Sequence, residues 1–150
     1  MNGRSPSASS DHSTYDVPLE VRWWDQDLLG HVNHVMIVGY LAEARTRWLH
    51  RDAVAQGVDA FAHPRIVVRL EIDYVSGVTA GRPLIVTMHG TRIGGGSFTV
   101  AYRGHQDGVT AFRASTVLVP TSGDGSTRKV SAQERDYLAG FAAASAAVAG

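Results

Sequence analysis

The sequence predicts an α+β domain: an antiparallel sheet of about five strands wrapped around one long central helix, with a short C-terminal helix. Three observations carry this. From His34 to about His50, apolar residues recur at helical spacing. Later stretches alternate apolar and polar residues with period two, as half-buried strands do. Between those stretches stand Gly94-Gly-Gly96 and Asp107-Gly108, where glycine permits the positive torsions of hairpin turns. At 150 residues the chain suits one domain, able to bury about 70% of its unfolded surface.

Residues 1–14 are rich in Ser, Gly and Asn without an apolar run of signal-peptide length, and are expected to be a disordered leader. Tyr15 to Trp24 alternates loosely and carries Val and aromatic residues, which predicts the first strand. Asn33 then stands where a helix cap is needed, since its side chain can accept from an orphan backbone N–H. In the helix that follows, Ile37, Leu41, Ala44 and Trp48 form an apolar stripe, and Val35, Met36, Val38 and Tyr40 fill the other faces of its first turns. A helix apolar on nearly every side at its start is expected to be wrapped by other elements. Its second half carries Glu43, Arg45, Arg47, His50 and Arg51 and is expected to emerge toward solvent, with Glu43 and Arg45 as a charge pair.

The next strand places Ile66, Val68, Leu70, Ile72 and Tyr74 on one face, against Arg69, Glu71 and Asp73 on the other. Three further strands follow, marked by Leu84, Val86 and Met88, by Phe98, Val100 and Tyr102, and by Phe112, Ala114, Thr116 and Leu118. Ser131-Ala-Gln-Glu134 has the spacing of a capping box and predicts a short exposed helix over Ala132 to Ala139. The domain is expected to span 15–141. Residues 142–150, an alanine-rich run half as long as a membrane span requires, are expected to be a flexible tail.

Charge excludes some classes of function. With 14 basic and 14 acidic residues, the chain has no excess that would draw nucleic acid or an anionic membrane. Without cysteine it has no disulfide, thiol nucleophile or thiolate-bound metal. A cytoplasmic location is the default expectation.

Chemistry concentrates in Asp25-Gln-Asp-Leu-Leu-Gly-His-Val-Asn33. A carboxylate, a glycine turn and a helix N-terminus lie within a few residues, and such a group can hold an activated carbonyl beside a base. The plain alternative is that an Asp before a Gly turn accepts backbone hydrogen bonds. His31, Asn33 and His34 could be read as metal ligands, but no further ligand stands at a telling spacing, so no metal is expected.

The stretch Val21-Arg-Trp-Trp-Asp-Gln-Asp-Leu-Leu-Gly-His-Val-Asn33 and the later Leu41-Ala-Glu-Ala-Arg45 resemble the hotdog-fold acyl-CoA thioesterases of the 4-hydroxybenzoyl-CoA thioesterase type. Glu71-Ile-Asp-Tyr74, Gly81, Gly96-Ser-Phe98 and the strand Ala111 to Val119 extend the likeness over roughly residues 16–120. The resemblance implies a homodimer with two sheets joined edge to edge, possible pairing into a homotetramer, acyl-CoA or acyl-carrier-protein thioester at the subunit interface, and no cofactor. It implies Asp27 as general base or nucleophile, three residues before Gly30, with backbone N–H groups near His34 as the oxyanion site. Gly30, His31, Asn33, Ile37, Tyr40, Arg92, Gly95 and Ser97 are the substrate-binding candidates. His31 could instead brace the loop, Asn33 cap the helix and Tyr40 pack in the core.

Arg92, Arg103, Arg113, Arg128 and Lys129 are the cations available for CoA phosphates, although a strand arginine is usually a sheet's solvated face. Ile37 stands where relatives often carry tyrosine, and Val119-Pro-Thr121 replaces a more usual acidic turn. An enoyl-thioester hydratase and a noncatalytic acyl-binding module are the other expectations the residues allow.

Overall fold

A computed structural model of the chain describes residues 14–141. Five strands, β1 (Tyr15–Leu19), β2 (Arg65–Tyr74), β3 (Leu84–Ile93), β4 (Phe98–Gln106) and β5 (Val109–Pro120), form one antiparallel sheet in the order β1-β3-β4-β5-β2. The expected leader falls almost entirely, and the expected tail wholly, outside the described residues.

The period-two residues of β3, β4 and β5 build the inner face as anticipated. Leu84, Val86, Met88, Phe98, Val100, Phe112 and Leu118 are buried there beneath helix α1 (His34–Arg45). From α1 the stripe Ile37, Tyr40, Leu41 and Ala44 is buried against them. Helical winding continues beyond the predicted end, through a wider π-type stretch Thr46–Ala53 that buries Trp48, Leu49 and Ala53.

Several expectations need correction. The first strand stops at Leu19, because its partner β3 begins at Leu84, opposite Leu19, and the ladder ends there. Trp23–Asp25 form a turn of 3₁₀ helix instead. In β2 a bulge at Val68 inserts one residue between the pairs Val67↔Leu118 and Arg69↔Val117. One extra residue reverses which side each later residue faces. Val67 therefore shares the face of Leu70, Ile72 and Tyr74, whereas Ile66 lies on the opposite one.

Nor is β2 half-buried: as an edge strand it leaves both faces open, with Val68 57% exposed. The same openness holds for α1, whose sheet-distal residues Val35, Met36 and Val38 are exposed in the single chain rather than wrapped. Finally, Glu43 does not pair with Arg45. Residues two apart point to different helix faces, and Glu43 instead meets Arg47 one turn on, at 2.7 Å, while Arg45 donates to the Tyr102 hydroxyl at 3.0 Å.

The C-terminal helix α2 (Ala132–Ala139) carries the predicted capping box: Glu134 N–H donates to Ser131 Oγ, and Ser131 N–H donates to the Glu134 carboxylate. It is docked, however, not exposed. Leu138 is fully buried over Gly90 of β3, and Glu134 is fully buried against Arg128.

Candidate active site

The loop before α1 is folded on itself and then fastened to the sheet. Asp25 is buried, and its Oδ2 accepts from Arg22 Nε and from the Tyr40 hydroxyl, each at 2.8 Å. The same hydroxyl accepts from Arg22 N–H at 2.9 Å. Burial raises the Tyr40 phenol above its ordinary pKa, which keeps it a hydroxyl donor to Asp25. Asp25 and Tyr40 thus anchor the entry of the loop to the middle of α1.

Beyond Asp25, Gln26 bridges to Val32, Asp27 N–H donates to His31 O at 2.8 Å, and Gly30 N–H donates back to Asp27 O at 3.0 Å. The turn needs glycine at position 30, where φ is 75°. Two bonds tie this loop to the connection between β2 and β3: Val32 N–H to Val78 O at 2.7 Å, and Ala80 N–H to the Gln26 side chain at 2.9 Å. Asn33 caps the helix, accepting from Val35 N–H at 2.9 Å.

Between loop, helix start and connection lies an open cleft of about 290 Å3. It brings together four of the nominated residues, Asp27, His31, His34 and Ile37, with Val32, Val78, Ala111 and Phe112 as apolar wall. The turn uses half of the Asp27 carboxylate, since Leu29 N–H donates to Oδ1 at 2.9 Å. Oδ2 has no donor among the described residues. His34, the first residue of α1, has a backbone N–H with no acceptor among the described residues, as a helix N-terminus allows. A carboxylate oxygen and an orphan N–H at the positive end of a helix dipole thus border one cleft.

The other nominated residues stand apart from it. Asn33 is occupied as the cap, Gly30 makes the turn, and Tyr40 is fully buried with its hydroxyl engaged. Arg92 lies in a polar groove on the outer sheet face with Arg69, Glu71 and Thr99. Gly95 and Ser97 belong to the β3–β4 hairpin, where Gly95 O accepts from Val130 N–H and Ser97 O from Gly94 N–H. Along β4 the hairpin begins near Phe98, while the cleft adjoins Phe112, which pairs with Gly104. That separation is roughly 20 Å of strand, too far for these residues to reach the cleft of their own chain.

Of the remaining cations, Arg128 is committed to Glu134, and Arg103 closes its hairpin on Thr110 and Gly108 O. Among the described residues no group of three or more His, Cys, Asp or Glu is placed to hold a metal.

Sequence reasoning missed one wall. Val75, Ser76, Gly77 and Val78 line the cleft opposite the loop. Their only advance signal was the turn dipeptide Ser76-Gly77 directly after the Tyr74 strand.

A family model described as the thioesterase-like superfamily matches residues 21–139, most of the chain and all of the cleft. The chain belongs to the thioesterase-like superfamily. Its class of reaction is thioester hydrolysis, and its antiparallel sheet over a helix is the hotdog fold. Among solved structures, this thioesterase is similar to one from Thermus thermophilus solved with coenzyme A and zinc. The two are 26% identical, the match covers 87% of this chain and 95% of that one, and the TM-score is 0.71.

A protein of Bacillus stearothermophilus described as a predicted thioesterase shares the fold at 22% identity, with 86% and 96% covered and a TM-score of 0.75. A thioesterase-superfamily protein of Jannaschia sp. does so at 24% identity, with 93% and 96% covered and a TM-score of 0.73. No curated protein matches the sequence. No helix among the described residues is long and apolar enough to cross a membrane.

Proposed function

We propose that this thioesterase hydrolyses an acyl-CoA or acyl-carrier-protein thioester in the manner of the 4-hydroxybenzoyl-CoA thioesterase type. The observation that carries the reading is the pairing, on one cleft, of the free Asp27 Oδ2 with the orphan N–H of His34. With the thioester carbonyl oxygen at the helix start, the N–H and the helix dipole stabilise the oxyanion as it forms, an effect worth about 10²- to 10³-fold in rate per donor. Asp27 then either takes a proton from the attacking water or attacks the carbonyl carbon itself, giving a mixed anhydride that water opens. In both routes the thiol leaves and the free acid remains.

The enzyme works as a homodimer in this reading. The open edge of β2 and the exposed apolar face of α1 are the surfaces a second copy covers, and only a second copy can bring Arg92, Gly95 and Ser97 toward the cleft. The coenzyme A held by the Thermus relative supports a CoA ester as the substrate.

The test is a hydrolysis panel of CoA and carrier-protein thioesters spanning short, long and aromatic acyl groups. Free thiol released from at least one class is the expected result. Because Asp27 and His31 share the cleft, hydration of an enoyl thioester is the competing reading. Water addition to crotonyl-CoA without thiol release would replace thioester hydrolysis by it. Thermal protection by CoA esters that are not consumed would leave a binding module.

A further inference from the structure

The placement of His31 depends on a missing side chain. A Cβ built on Gly77 would stand 2.6 Å from His31 Cδ2, 2.6 Å from Cγ and 2.7 Å from Nδ1. Three ring atoms at nearly equal distance mean that the imidazole meets Gly77 face-on. Carbon contacts are favourable at about 3.5–4.0 Å, so a methyl group at position 77 and the ring in this position exclude each other.

The backbone does not itself call for glycine here. Among the described residues the glycines with positive φ are 30, 57, 81, 108 and 125, and Gly77 is not one of them. What position 77 accommodates is the ring.

The chain at Gly77 is also poorly placed to withdraw. On one side Ser76 donates its N–H to Ala111 O at 3.0 Å and its hydroxyl to Thr110 O at 2.8 Å. On the other, Val78 O accepts from Val32 N–H at 2.7 Å, the bond that closes the cleft. A side chain at position 77 would therefore displace the imidazole before the backbone. The ring has no hydrogen-bond partner among the described residues to hold it otherwise.

We propose that Gly77 is a positioning residue that acts through His31. It lets the imidazole lie flat on the cleft wall beside Asp27, where the ring borders the space a substrate would fill. This rests on the cleft being the thioester site. Misplacing a contacting group by about 1 Å can cost 10²-fold in rate, which sets the scale of the effect.

The experiment measures kcat and KM for the best-hydrolysed thioester in the wild type, Gly77→Ala, His31→Ala and the double variant. Gly77→Ala and His31→Ala are expected to lower kcat/KM by similar factors, about 10- to 100-fold, and the double variant to be no worse than either. Losses that multiply, or a Gly77→Ala enzyme equal to wild type, overturn the proposal while leaving hydrolysis standing. A wild type that releases no thiol across the panel overturns both.

Should Gly77→Ala fail to fold, NMR of the wild type and His31→Ala decides. Upfield-shifted Gly77 Hα signals with NOEs to the His31 ring, both lost in His31→Ala, support the contact. An ordinary Gly77 shift without NOEs overturns it.

Discussion

Asp25 and Asp27 lie two residues apart, yet the loop gives them opposite environments. The Asp25 carboxylate is buried and receives two side-chain donors, whereas Asp27 is exposed and spends only one oxygen on its own turn. Removing the phenol that serves Asp25 tests the first half of this contrast. Tyr40→Phe keeps the ring packing but leaves Asp25 and Arg22 N–H each short of a partner. It should cost about 1–3 kcal/mol in chemical denaturation. A stability equal to wild type would mean that water replaces the hydroxyl freely. In the sequence the two acids were told apart only by the resemblance, which points to Asp27; the burial of Asp25 rests on partners that fold onto it. The engagement of the Tyr40 hydroxyl was not, since an aromatic at helical spacing reads only as core. Nor was the contact between His31 and Gly77, which joins residues far apart in the chain through an absent atom.

Elements, taken singly, follow local rules that a sequence carries well. The Asn33 cap, the Ser131–Glu134 capping box and the inner faces of β3 and β4 each depend on residues close in the chain, and each lies where its pattern puts it. The bulge at Val68 depends on the partner strand, and the burial of α2 depends on its docking over Gly90 of β3, so neither was legible locally. Burial pushes the Glu134 carboxyl up, but hydrogen bonds from Arg128 and Ser131 outweigh it and hold the group below the usual carboxylate range. A depressed folded pKa contributes stability above the unfolded value, near 4.5, and loses it as pH falls through the lower folded value. Glu134→Gln should therefore destabilise at pH 7 by about 3 kcal/mol, the scale of a broken buried pair, and the gap to wild type should narrow on acidification below about pH 4. A thermal-melt difference independent of pH would contradict this.

At the scale of the molecule, the single chain leaves an apolar surface that few monomers would. Trp23, Trp24, Leu28 and Leu29 stand exposed in the loop before α1, with Trp24 at 78%, and residues of α1 and β2 such as Val35, Met36, Val67 and Val68 are exposed as well. If a second copy covers β2, Val68→Lys should shift the protein from dimer to monomer in light scattering while its folding transition persists, because Val68 is already exposed in one chain. Dimerisation equal to wild type would place the interface elsewhere. The sequence hinted at this surface through the all-round apolar start of the helix, but a pattern cannot say whether its cover comes from the same chain or another. Hydrolysis by this cleft turns on the free oxygen of Asp27. The most direct test is kcat for thioester hydrolysis in Asp27→Asn beside its unfolding curve. A loss of more than about 100-fold with the unfolding midpoint unchanged is expected, since the amide still accepts from Leu29 N–H but neither attacks nor takes a proton. Turnover within a few-fold of wild type would contradict it.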